Sequence, residues 1–529
     1  MTRRQTMRIA ISSAIIAVQA VLLPPTGLAQ NAAFTLTPIV KRGDPSPDGG
    51  RFFGCDDCEG GILGNRALNN RREVVITADT EGRCYDGRFL VSSSSRVLLL
   101  DFCEQTPFGK FSLSGRMNLN DEGQVAMRAG PVVNGRIVDM LFLYSDGQLT
   151  KIVAEGDQTP VGTIFKGCGF SEPSINNKGD VAFGSCSDDD HGLFRDGIFL
   201  FSGGEIRKVV ADEDPSPIDG VFSLNFFPPI DPVINDNGEV LFGAGVIISP
   251  AVKEKFGLFL STATSIKKIE VDGDRMPGSG QVKENTIGVG DLNNKGEVAF
   301  TVKLTGDQTD RGLFLYSDGL IKKLITAGDP TPIGGTFTLL VTQPGVEFPL
   351  AHLNNNSAVA FQASVANGTA SSGIFLASPT AIVKVVATGD RLPSGETIRF
   401  IHSFALNDLG QVAFFAYKKK NKTQPLGLLV ATPVTPQISS IKLKRKGGRL
   451  ELRVNGNAMI TNDTVIEIDG VALEATSYPA EFRENGGTTT RVVSRDPRLD
   501  ELIPAGGSVQ VTVFNPLTNR RSAPVPFTR

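Results

Sequence analysis

The sequence predicts an all-β chain: a seven-bladed β-propeller closed by its own N-terminal strand, followed by a C-terminal Ig-like β-sandwich. Three observations predict it. Seven near-copies of one asparagine-centred word recur along the chain. Each copy is followed by the same series of short apolar runs. The series lacks its last run at the end of the array, and an orphan copy of that run stands at the beginning. With 529 residues, Gly 58, Pro 31 and 40% hydrophobic residues, the composition suits a turn-rich β protein of more than one domain.

The word reads "LNDEGQVAM", "INNKGDVAF", "INDNGEVLF", "LNNKGEVAF", "LNNNSAVAF" and "LNDLGQVAF", with a more divergent "LNNRREVVI" ahead of them. Its first asparagines are Asn69, Asn120, Asn176, Asn235, Asn293, Asn354 and Asn407, separated by 51, 56, 59, 58, 61 and 53 residues. This period suits one four-stranded blade with generous loops. In the fifth unit "QVKENTIGVGDL" leads through "NNKG" to "EVAFTVKL", then to "GLFLYSDG" and "LIKKLITAGD". Asn-Gly and Asp-Gly accept the positive φ of tight hairpins, so both words mark reversals between strands. Counting outward from "NNKG" in the third unit pairs Ile175 with Asp180.

Each unit closes on an acid before a proline-containing turn: Asp44, Glu104, Asp157, Asp214, Asp274, Asp329 and Asp390. Such an acid can brace its own turn by bonding the backbone two residues on. The last unit stops at "GLLVATP" without a fourth strand, whereas "FTLTPIVKRGD", residues 34 to 44, is a fourth-strand word with no unit before it. The N-terminal strand is therefore expected to complete the last blade and leave no edge open.

The array over residues 34 to 432 resembles the bacterial tandem-repeat proteins with the consensus NxxGxxAF, matched by "NNKGDVAF", "NNKGEVAF" and "NDLGQVAF". Arg72 and Ser357 depart from it at the turn glycine, and Val75, Met127 and Leu241 depart within the AF position. The resemblance implies a secreted or surface-associated protein and no common activity. After the linker 433–436 the language changes. Residues 437–529 alternate without the asparagine word and resemble an IPT/TIG immunoglobulin-like module, with the ending "VTVFNPLTNRRSAPVPF" and with "KLKRKGG" in place of the usual glycine-rich opening. That resemblance implies a spacer or interaction domain.

Residues 1–29 read as an export signal: Arg3, Arg4 and Arg8, an apolar run, then small Gly27 and Ala29 at the cleavage spacing. The expected product is secreted, periplasmic or at the cell surface. Six cysteines suit an oxidising compartment. Strand arithmetic sets Cys168 opposite Cys186 and Cys84 opposite Cys103 and leaves over Cys55 and Cys58 of "CDDC", with the connectivity of the six open. Structural disulfides are the expected reading, with a redox or zinc CxxC as the alternative.

The net charge of −3 gives no general electrostatic case for nucleic acid or an anionic membrane. Only His191, His352 and His402 are present, and neither a nucleophile elbow nor a zincin or P-loop motif occurs. Trp 0 leaves no indole platform for stacking a sugar or quinone. The seven acids could ring a hard cation such as calcium, and so could Asp188, Asp189 and Asp190 in "SDDDHG"; turn braces and a solvated loop are the competing readings. Catalytic and cofactor residues are assigned to none. The expected function is a non-catalytic binding or scaffold protein presenting one loop face to a protein or extracellular polymer. The alternatives are a secreted hydrolase or lyase with a metal or acid-pair site on that face, and a structural envelope component.

Overall fold

The computed structural model describes residues 33–52, 66–82, 86–103, 105–188, 196–224, 231–249, 254–284, 286–288, 290–305, 311–340, 351–419, 425–474, 476–478 and 486–529. Within them the chain forms seven antiparallel sheets that resemble propeller blades, of three to six strands each, and two further sheets at the C-terminus. The first sheet is the three-stranded one, Val74–Asp79, Asp86–Val91 and Arg96–Asp101. Leu68 bridges to its Val74 and Phe52 to Thr80, so the inner side is paired only at isolated points. No helix among the described residues is long and apolar enough to cross a membrane.

The apolar words become the cores of the sheets because they sit in register. The phenylalanine of "VAF" lies opposite that of "GLFL" as Phe183 with Phe199, Phe242 with Phe259, Phe300 with Phe314 and Phe361 with Phe375. Their rings stack at 5.6 to 6.0 Å with interplanar angles of 27 to 29°. A third ring from the entering strand, Phe165, Phe222 or Phe337, meets the second edge-on at 5.0 to 5.1 Å. Offset and edge-on contacts of this kind add to the burial of large apolar surface. The pairing of third with fourth strand slips by one residue at the same place in sheet after sheet, as at Ile198/Phe199, Leu258/Phe259, Leu313/Phe314 and Ile374/Phe375. A bulge there sharpens the right-handed twist of the outer hairpin.

The strand Phe34–Val40 pairs with Pro425–Pro433 and forms the outer strand of the seventh sheet. One apolar cluster joins Leu428 and Val430 of that sheet to Val74 and Phe89 of the first. The turn arithmetic needs one correction: Ile175 pairs with Val181, not Asp180, because Asn176 and Asp180 close the hairpin through Asn176 N–H to Asp180 O at 3.1 Å.

The C-terminal sheets face each other across one core, with Leu452, Val454 and Val492 from one and Ile466, Val511 and Val513 from the other. Only residues 434–436 separate them from the seventh sheet. Ile460 and Leu517 join the apolar cluster of Phe34, Leu406 and Ala431, Lys384 N–H donates to Gly486 O at 3.0 Å, and Arg520 donates to Leu409 O at 3.4 Å. These residues are docked on the sixth and seventh sheets.

Candidate functional site

The seven repeated asparagines form a continuous belt. Each is buried, between 0% and 5% exposed. In six of the seven turns the side-chain oxygen accepts two backbone N–H groups of its own turn, as Asn235 does from Asn237 and Glu239 at 3.0 Å. The amide NH₂ then reaches the next sheet: Asn69 donates to Asn120 O, Asn120 to Asn176 O, Asn176 to Asn235 O, Asn235 to Asn293 O, Asn293 to Asn354 O and Asn354 to Asn407 O, at 2.9 to 3.2 Å. Asn407 returns the bond to Asn69 O at 2.9 Å. Both an acceptor and a donor are needed at one side-chain end, and only an amide of this length supplies them.

The residue after each asparagine makes a second ring. Asp121, Asp236 and Asp408 each accept from amides on both sides: Asp121 from Asn70 and Asn177, Asp236 from Asn177 and Asn294, Asp408 from Asn355 and Asn70. Each carboxylate also takes a backbone N–H, from Asn70, Asn177 and Asn355 respectively, at 2.7 to 2.8 Å. The words of all seven sheets enclose a cavity of about 70 Å³. Arg66 crosses it from the first unit to the fifth, donating to Leu292 O at 2.6 Å with Asp291 4.0 Å away. Burial pushes the Asp291 carboxyl above its ordinary range, and the Arg66 charge pulls it part of the way back.

A different constellation lies four residues before the asparagine in the second, third and fourth units, at Arg116, Glu172 and Asp231. Each is half-buried. The Arg116 backbone N–H bonds the Glu172 carboxyl, and Glu172 N–H bonds Asp231 Oδ1 at 2.9 Å, so the three sheets are stitched in order. Burial first, and then the charge of Asp231, drives Glu172 well above the usual carboxylate range; Arg128 and Arg116 oppose the rise. Burial raises Asp231 as well, against the Glu172 backbone N–H and the same two arginines. Two carboxyls so placed hold a proton at neutral pH. Arg128 is committed to Asp139, with Nε 3.0 Å from both oxygens and Nη2 2.8 Å from Oδ2. Arg116 has no ion pair or side-chain hydrogen bond among the described residues, and Glu172 Oε2 is buried without a hydrogen-bond partner.

The reading of the sequence missed this group. Its signal was the shared phrase "EPSIN" at 172–176 and "DPVIN" at 231–235, an acid and a proline set at one spacing before the asparagine.

The acids singled out from the sequence stand elsewhere. Asp157, Asp214, Asp274, Asp329 and Asp390 each accept the backbone N–H of the residue three before, at 2.7 to 3.2 Å, rather than bonding two residues on. Each also pairs with a lysine six residues earlier, Lys151, Lys208, Lys268, Lys323 and Lys384, at 2.8 to 3.1 Å. Asp44 accepts from Lys41 N–H and pairs with Arg96, both at 3.0 Å. None of these six lines the central cavity. Glu104, Asp189, Asp190 and His191 lie outside the described residues, and Asp188 ends the strand Val181–Asp188. Among the described residues no three His, Cys, Asp or Glu side chains converge as metal ligands. Cys103 and Cys186 are disulfide-bonded. The pairs Phe165 with Ser187 and Phe170 with Ser185 bracket Cys168 and Cys186 on neighbouring strands; Cys55, Cys58 and Cys84 lie outside the described residues.

Seven antiparallel sheets that resemble propeller blades, bound by an asparagine belt, with further sheets docked at the C-terminus, define a propeller-like all-β repeat protein. The chain belongs to the family described as "Family of unknown function (DUF7453)", whose model matches residues 9–195 and again 104–456. No curated protein matches the sequence. Among solved structures it is similar to an acylaminoacyl peptidase of Pyrococcus horikoshii, with 11% identity over 68% of this chain and 51% of that one and a TM-score of 0.35. It is similar to a sialidase of Trypanosoma rangeli, with 10% identity, 76% and 58% covered and a TM-score of 0.31. It is also similar to the polysaccharide lyase Uly1, with 8% identity, 77% and 98% covered and a TM-score of 0.35. The chain thus spans only about half the length of the peptidase and somewhat more of the sialidase. Likenesses this distant carry no argument about activity.

Proposed function

We propose that the seven sheets are the blades of a closed propeller of NxxGxxAF-type repeats, with the N-terminal strand completing the last blade and an IPT/TIG-like module docked behind it. In this reading the chain is exported after removal of residues 1–29 and serves as a non-catalytic binding protein. It offers the face bearing the acid turns and the loops between second and third strands to a protein or extracellular polymer. The observation that carries the reading is the asparagine belt, whose last bond runs from Asn407 back to Asn69, 338 residues away. A ring fixed in this way is a rigid platform, and loops on a rigid platform are where binding surfaces are built. A loop of this kind, residues 367–371, rests against the acid turn through Thr369 N–H to Ile333 O at 2.9 Å.

The test is retention of the mature protein on immobilised cell-envelope polymer and protein fractions, compared with a variant in which residues 367–371 and 134–135 are replaced by Gly-Gly turns. Retention by the parent and loss by the variant is expected. Equal retention, or none by either, would refute the reading. A hydrolase or lyase is the second reading, favoured by the Glu172–Asp231 pair; cleavage of the retained polymer is its mark.

A further inference from the structure

The belt and the second ring satisfy their own hydrogen bonds, and the acid turns are paired. The group before the asparagine in the second to fourth units differs. At that place the repeat carries Val289 and Leu350 in the fifth and sixth units, so the fold does not require charge there. Yet Arg116, Glu172 and Asp231 stand at it in three consecutive units. Space has been left for them as well. A Cβ on Gly115 would come within 2.5 Å of both Glu172 carboxylate oxygens, and one on Gly169, whose φ is +93°, within 2.5 Å of Arg128 Nη2.

The two valences left open among the described residues are chemically different. A guanidinium presents a planar fork of N–H donors that suits a carboxylate. A buried carboxyl oxygen without a partner is costly to leave unmade, and a hydroxyl or ammonium group can satisfy it. The backbone of Gly115, next to Arg116, packs against the Glu172 carboxyl, and Glu172 N–H bonds Asp231 Oδ1 at 2.9 Å, so the segment carrying the cation stands beside the acid pair. We propose that Arg116, Glu172 and Asp231 form a binding site for a carboxylate that carries a neighbouring hydrogen-bond donor, a 2-hydroxy acid, acidic sugar or amino acid. Arg116 holds the ligand's carboxylate, while Glu172 Oε2, backed by Asp231, takes its hydroxyl or ammonium group. The inference deepens the binding reading by naming a ligand class, and it stands on other residues than the loops.

The experiment is titration of the full mature chain with glycolate, glucuronate, glycine and acetate, read by calorimetry and by the rise in melting temperature. Saturable binding of at least one of the first three is expected, with acetate at least tenfold weaker. Glycine against glycolate and glucuronate separates an amino-acid from a hydroxy-acid ligand. Arg116→Met should weaken the bound probe at least tenfold while the unliganded chain melts as the parent does. Gly115→Ala, which displaces the Glu172 carboxyl, should abolish the preference over acetate. Binding by none of the three, acetate bound as tightly, or binding unchanged in Arg116→Met would overturn the proposal. Loss of the loop-dependent retention would leave it standing.

Discussion

At the scale of single residues, the repeat is most informative where one unit breaks its rule. Leu141, Ile198, Leu313 and Ile374 face Val153, Val210, Ile325 and Val386, but in the fourth sheet Leu258 faces Glu270. Glu270 is 0% exposed and neither carboxylate oxygen has a hydrogen-bond partner. Burial, then the charges of Asp274 and Asp272, push it from 4.5 to about 9. The folded chain therefore holds a proton that the unfolded chain has lost between those values. Stability from this group is fully present below pH 4.5 and falls as pH rises toward 9, by up to about 1.4 kcal/mol per pH unit. Glu270→Val should match the parent in urea unfolding near pH 4 and exceed it increasingly up to pH 8. A gap that does not widen with pH would rule this account out. The asparagines show the opposite case, in which the rule is obeyed for more reasons than the sequence suggests. A turn explains Asn235 accepting from its own backbone; only the neighbouring sheet explains the donor that it aims at Asn293 O.

At the scale of the strand and turn, the acid words act mainly through backbone bonds. Asp329 accepts from Thr326 N–H at 2.7 Å and from Lys323 Nζ at 3.0 Å, and both side chains of the ion pair are about a third exposed. A partly exposed ion pair adds little, whereas a backbone donor deprived of its partner adds a cost. Asp329→Ala should therefore lose about 1 kcal/mol and Lys323→Met less than half of that, both measured by chemical denaturation. Because those oxygens are already engaged, calcium and chelator should leave the melting temperature of the protein unchanged. Equal losses in the two variants, or a calcium-dependent rise, would return the acids to the list of ligands. The strand words, the hairpin turns and the recurrence of the braces were legible because all of them are local. The slip in the Asn176 hairpin was not, since the closing bond between residues 176 and 180 depends on the conformation the turn adopts.

At the scale of the whole molecule, the ends of the array and the C-terminal sheets meet at the seventh sheet. Phe34–Val40 covers the edge of Pro425–Pro433, and Phe34 shares its apolar cluster with Ile460 and Leu517. A chain beginning at Lys41 uncovers that strand edge and part of the cluster. It should melt well below a chain beginning at Ala33 and self-associate, as read by scanning calorimetry and light scattering. Unchanged melting of a monomeric truncated chain would show that the strand is dispensable. The docking of residues 437–529 was not foreseen, because a module that resembles a spacer shows its own core in its sequence and not which of its surface residues are covered.

The sequence by itself determined the all-β class, the number of units, the words that become strands and the partner of the orphan N-terminal strand. Periodicity and turn chemistry act between near neighbours, and a repeat states them seven times. The tertiary structure alone decided that the asparagines bind sheet to sheet, that Arg66 crosses the cavity to Leu292, and that Arg116, Glu172 and Asp231 come together. Those contacts join residues 51 to 338 positions apart. Their energies depend on burial and on which hydrogen-bond partners the packing leaves unmatched, and neither quantity exists until the sheets have packed.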